Sequence, residues 1–142
     1  MMSLAILLLA AATQQGSCET LKSLAVPNTT ITASDYVPAG PQRNARGGQS
    51  VTLPAHCRIA AVLQPSSDSH IEMELWMPSE NWNGKFLAVG NGGWAGSIGT
   101  GAIAAGLARG YATASNDTGH KGGSAARCTR WQSVPKRLSG LL

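Results

Sequence analysis

Residues 85–120 read KFLAVGNGGWAGSIGTGAIAAGLARGYATASNDTGH, and the succession of patterns within them decides the fold. Phe86, Leu87, Ala88 and Val89 are continuously apolar. Lys85 to Val89 is therefore expected as a short strand covered on both faces, as in an α/β sheet. A glycine-rich turn follows, Gly90 to Gly93. Thr100 to Arg109 is rich in alanine, places Ile103 and Leu107 four residues apart, and meets a stop signal at Gly110, the signature of a helix. Tyr111 to Ser115 (YATAS) is β-prone again and runs into the polar NDTGH. Strand, glycine turn, helix and strand in that order make a βαβ unit, whose functional loop lies at the C-terminal end of its first strand.

Upstream the chain reads mainly as β-structure. Glu19 to Leu24 predicts a short helical turn, Pro27-Asn28 a reversal, and Thr29 to Ala33 a β-prone run. Residues 40–50 (GPQRNARGGQS) are polar and glycine-rich, a loop or hairpin tip, and Cys57 to Leu63 predicts the next strand. Ile71, Met73, Leu75 and Met77 alternate with Glu72, Glu74 and Trp76, a period of two ending at Pro78. One face of that strand is expected in a core and the other partly in water. Asn83-Gly84 marks a turn feeding the strand that follows, and Trp82 beside it reads as a packing residue. The fold class is α/β: a β-rich start, then a strand–glycine loop–helix–strand unit, with an incomplete sheet.

Composition narrows the function classes. Apolar residues make up 43% of the chain and charged residues 13%, a globular balance. The net charge of +4 is confined to the end of the chain. Arg127, Arg130, Lys136 and Arg137 lie in a segment without acids, and removing them from the eleven basic residues leaves seven against seven acids. No basic patch interleaved with aromatics remains, so nucleic acid is not an expected partner. Leu4 to Ala12 has the apolar character of a signal peptide and is too short to span a bilayer. Residues 1–17 are accordingly read as a leader directing secretion or periplasmic export, with no stable membrane insertion after its removal. Residues 18–126 are read as the folded part. Residues 127–142 are read as an aberrant basic tail, as from a change of reading frame.

Export permits disulfides. Cys18 and Cys57 flank a segment of strand-like and turn-like pieces and are proposed to pair, two separate buried thiols being the alternative. Cys128 has no evident partner, and no cysteine spacing matches a zinc site. For GNGGWAG, Gly90 to Gly96, a dinucleotide fingerprint lacks its acidic residue at the end of the next strand. A phosphate loop lacks Gly-Lys-Ser/Thr, because Lys121 is followed by glycines. Two readings stay open on pattern alone: a loop whose bare backbone amides hold an oxyanion, and a plain tight turn between strand and helix.

CETLKSLAVPNTTITAS, the run from Leu53 to Ile98 containing NWNGKF and GNGGWAG, and ARGYATASNDTGHKGGSA together resemble the N-terminal part of the tannase and feruloyl esterase family. The resemblance spans roughly residues 18–125. It implies an α/β-hydrolase-fold serine esterase of exported type that cleaves phenolic-acid esters, with a lid domain that in some members binds calcium. It also implies that Cys18–Cys57 is a structural disulfide and that the Gly90–Gly93 turn lies beside the active site. Asn91, Gly92 and Gly93 are then the oxyanion-loop residues. The family's serine nucleophile, in a Gly-Cys-Ser-x-Gly-Gly motif, and its acid and base are expected downstream. No catalytic residue is assigned in this chain: Ser97 and Ser124 lack the nucleophile context, and Asp117 and His120 read as loop residues at a strand end. His56 and His70 carry weaker cases still as a catalytic base. No metal ligand or cofactor is expected here. The alternative is a secreted, non-catalytic binding module for carbohydrate or phenolic ligands, using Trp76, Trp82 and Trp94 as stacking surfaces.

Overall fold

The computed structural model describes residues 16–42, 50–93 and 95–122. Residues 1–15 of the leader, Trp94, Cys128 and the tail at 127–142 lie outside the described residues. Residues 16–20 are helical and pass into a single 3-10 turn, Leu21–Ser23. Strands β1 (Thr29–Val37), β2 (Gly40–Gln42), β3 (Val51–Leu53), β4 (His56–Leu63), β5 (Ile71–Pro78) and β6 (Phe86–Ala88) follow, then helix α1 (Thr100–Leu107) and strand β7 (Ala112–Asn116).

Five strands form one mixed sheet in the order β1-β4-β5-β7-β6, and β2 pairs with β3 in a small separate hairpin. The pairs β1–β4, β4–β5 and β5–β7 are antiparallel, while β6 and β7 are parallel. The parallel pair is the one joined through α1, because two neighbouring strands can run in the same direction only if the connection crosses the sheet. The βαβ unit expected from residues 85–120 is thus present, appended to an antiparallel meander.

Trp76 pairs with Thr113, and Thr113 with Leu87, so these three side chains share the face that α1 covers. Ile103 and Leu107, four apart on α1, are fully buried there with Ala104, Trp76 and Leu53, each large side chain contributing about 1.5–3 kcal/mol by its removal from water. A Cβ on Gly106 would meet Thr113 Oγ1 at 2.4 Å. The absence of a side chain is what lets the helix lie this close to β7. The opposite face holds a second core, built from the Cys18–Cys57 disulfide and Ile59, with Leu21, Leu75 and Met77 against it. The disulfide joins residues 39 apart, and on the chain-entropy model closing such a loop stabilises by roughly 4 kcal/mol.

Three expectations meet the structure here. First, the face of β5 that alternation leaves partly in water is mixed: Glu72 lies at its surface, while Trp76 is core, 6% exposed. That face is shared: α1 and the β3 end of the chain cover its Trp76 end, while the glutamates further along are met by cations. Glu74 receives Arg58 Nε at 3.1 Å and Nη2 at 2.5 Å as well as Trp76 Nε1 at 2.8 Å, and Glu72 receives Lys121. Second, the run Phe86–Val89 is not covered on both faces. β6 is the outer strand of the sheet, and Phe86 is 62% exposed. Third, Trp82 is 59% exposed rather than packed, its Nε1 donating to Lys85 O at 3.0 Å.

Candidate functional site

The glycine-rich segment leaves the C-terminal end of β6 and enters α1, beside the C-terminal end of the parallel strand β7. In a parallel arrangement this is the edge at which ligands gather. Val89 N–H still donates to Ala114 O at 2.8 Å, extending the β6–β7 pairing by one residue. From Gly90 the backbone leaves the sheet. Gly93 adopts φ 60, and Ala95 N–H closes a turn onto Gly92 O at 3.2 Å. The backbone N–H groups of Asn91, Gly92 and Gly93 donate to none of the described residues. Gly92 and Gly93 are exposed. Three successive amides unbonded among the described residues can attract an anion, because each N–H presents a fixed partial positive charge.

The segment is tied down on both sides of these amides. Asn91 Nδ2 donates to Asn116 O at 2.9 Å. Gly96 and Gly122 exchange two backbone hydrogen bonds, 2.8 and 3.1 Å long. Gly99 N–H, at the start of α1, donates to Ser115 Oγ at 3.1 Å. Every one of these ties lands on residues 115–122, the end of β7 and the turn after it. The segment carrying the donors expected at Asn91–Gly93 is therefore held by a second one, which from sequence alone reads only as a polar loop.

Asp117 and His120 follow β7 in the turn at its end. The Asp117 carboxylate is 2% exposed. Its Oδ1 accepts from the N–H groups of Glu72 and Gly119, each at 2.9 Å, and its Oδ2 faces Lys121 Nζ at 3.2 Å. His120 Nδ1 lies 3.1 Å from Thr118 Oγ1. Proximity to Glu72 and Asp117 raises the affinity of Lys121 for its proton, chiefly through the hydrogen bond to Glu72. His56 is remote from this edge and fully buried, stacked on Trp76 with ring centroids 5.0 Å apart. His70 is an exposed residue 3.8 Å from Glu72. Among the described residues no group of three or more His, Cys, Asp or Glu side chains is placed to hold a metal. No helix among them is long and apolar enough to cross a membrane. Of the three tryptophans considered as stacking surfaces, Trp76 is core, Trp94 is outside the described residues, and Trp82 is exposed beside an apolar groove of about 440 Å³ lined by Cys18, Leu21, Cys57 and Met77.

Residues 57–134 match the family model for tannase and feruloyl esterase, more than half of the chain. The chain belongs to the tannase and feruloyl esterase family. The family match includes residues 127–134 of the basic tail. Feruloyl esterase C of Talaromyces stipitatus is 37% identical over 115 residues, covering 75% of this chain and 22% of that protein. An "uncharacterized esterase" of Xanthomonas campestris pv. campestris is 42% identical over 114 residues, covering 80% of this chain and 20% of that protein. The crystal structure of feruloyl esterase B from Aspergillus oryzae superposes with a TM-score of 0.67 at 37% identity, over 78% of this chain and 22% of that one. The chain spans about a fifth of the length of these tannase and feruloyl esterase relatives. Its mixed sheet with few helices is the corresponding part of the esterase fold.

Proposed function

We propose that this chain forms the N-terminal part of an exported serine ester hydrolase acting on esters of phenolic acids, and that Asn91, Gly92 and Gly93 supply oxyanion-binding amides to that reaction. The observation that carries the reading is the set of three N–H groups, unbonded among the described residues, in a pinned segment at the C-terminal edge of the parallel strands. When a serine attacks an ester carbonyl, the carbonyl oxygen gains negative charge. Amides already aimed at that oxygen stabilise the charge without reorganising, an effect commonly worth about 3–4 kcal/mol per donor. Family membership and the names of the relatives support an ester as substrate.

The nucleophile, its base and its orienting acid are assigned to the esterase outside these 142 residues, as is the calcium of the family's lid. Residues 1–17 act as the export leader in this reading, and residues 18–126 contribute to the hydrolase domain. The purified 142-residue chain is then expected to leave methyl ferulate and aryl acetates unhydrolysed, and to remain unlabelled by a fluorophosphonate serine probe. Ester turnover that disappears when the probe labels this chain would place a nucleophile within it and contradict the assignment.

A further inference from the structure

The oxyanion reading leaves the most thoroughly bonded side chain at this edge without a role. Asp117 is buried, takes two backbone N–H groups on Oδ1, faces Lys121 with Oδ2, and donates its own N–H to Glu72 O at 2.9 Å. These bonds fasten the end of β7 to the start of β5. They also shape the turn beyond it, in which Thr118 and Gly119 take φ 56 and φ 80 and the chain folds back toward the glycine segment. There His120 and Gly122 meet Gly96. A Cβ on Gly96 would lie 2.1 Å from His120 O, so this contact admits only glycine.

We propose that Asp117 is the positioning residue of the glycine loop: it fixes residues 116–122 as a clasp, and the clasp holds residues 90–93 and 95–96 in the conformation that leaves the Asn91–Gly93 amides unbonded among the described residues. The functional importance of those amides rests on the oxyanion reading, but the clasp itself does not. The chain of contacts is continuous. Asp117 fixes Gly119 and Glu72; the turn so formed delivers Asn116 O to Asn91 and Gly122 to Gly96. Hydrogen bonds to a buried carboxylate are among the stronger ones, and removing the acceptor leaves its donors unmatched. Asp117 is thus a residue that acts through others and touches no reacting atom.

Amide hydrogen exchange on the whole 142-residue chain tests this residue by residue. Asp117→Asn retains Oδ1 but turns an amide group toward Lys121. It is expected to speed exchange at Gly96 and Gly122 by about tenfold or more while the β4–β5 ladder keeps its protection. Asp117→Ala should exceed it in the same places. Gly96→Ala, acting from the other side of the contact, should release Gly122 in the same way. Lys121→Ala, which keeps both accepted N–H bonds, should change these rates least. Two results overturn the proposal: wild-type protection at Gly122 in both Asp117→Asn and Gly96→Ala, or loss of protection spread evenly over the β4–β5 ladder. Failure of anion binding at Asn91–Gly93 with the exchange pattern intact would sink the oxyanion reading and leave the clasp standing.

Discussion

At the scale of single residues, His56 shows how a titrating group can be set against its surroundings. Its Nδ1 lies 2.9 Å from Pro54 O, which places the ring proton there. Nε2 is buried with no partner among the described residues. Burial pushes the imidazole below its ordinary 6.5, with the charge of Arg58 adding to the effect against the opposing bond to Pro54. A histidine whose folded value is depressed contributes stability above its unfolded value and loses that contribution as pH falls from there toward the folded value. Thermal melts should therefore show the protein weakening as pH drops from 7 to 5. His56→Phe, which keeps the stack on Trp76, should flatten that part of the profile, and an unaltered slope would remove His56 as its source. Nothing in the local sequence AHCR announces this environment, because the ring is enclosed by residues from β5 and the β3 end of the chain. The glutamate-bearing face of IEMELW is only partly legible for a similar reason. The partners of Glu74 and Glu72, Arg58 and Lys121, come from another strand and a loop, so alternation alone does not show that the Trp76 end of this face is core.

At the scale of elements, α1 and β7 were legible because helix and strand periods are local properties. Ile103 and Leu107 declare a buried stripe, and Gly110 ends the helix. What the pattern does not carry is the depth of contact. Gly106 reads as a weak helix residue, yet it faces Thr113, which is fully buried. Gly106→Ala raises helix propensity by about 1 kcal/mol and still should destabilise the protein by about 1–3 kcal/mol, because the new methyl group is forced into Thr113 and Leu87. Urea denaturation measures the difference. Thr113→Ala in the same chain should recover part of the loss, whereas strictly additive effects would show that the two residues do not press on each other. The expectation for β6 failed on another physical ground. A continuous apolar run signals burial on both faces of a strand, but among the described residues a helix covers one face and no strand lies beyond β6, so Phe86 and Ala88 are exposed there.

At the scale of the whole molecule, an antiparallel meander and one βαβ unit meet in a single sheet, and the candidate site forms on the parallel side. The glycine segment was recognisable from composition and from its place after a strand. Its holder was not, because the bond between Glu72 N–H and Asp117 spans 45 positions. Exposed Phe86 and Trp82 mark the sheet's uncovered flank, where the disulfide groove also opens. That flank sets a competing destination for any aromatic ligand, and so makes the site's location measurable. Titrating the isotope-labelled chain with benzoate, an aromatic carboxylate, and following each backbone amide by NMR separates the two. The account predicts saturable shifts, weak and of order millimolar, centred on the amides of Asn91, Gly92 and Gly93. Shifts confined to Trp82 and the residues around Cys18 and Cys57, with the Asn91–Gly93 amides unmoved, would contradict it.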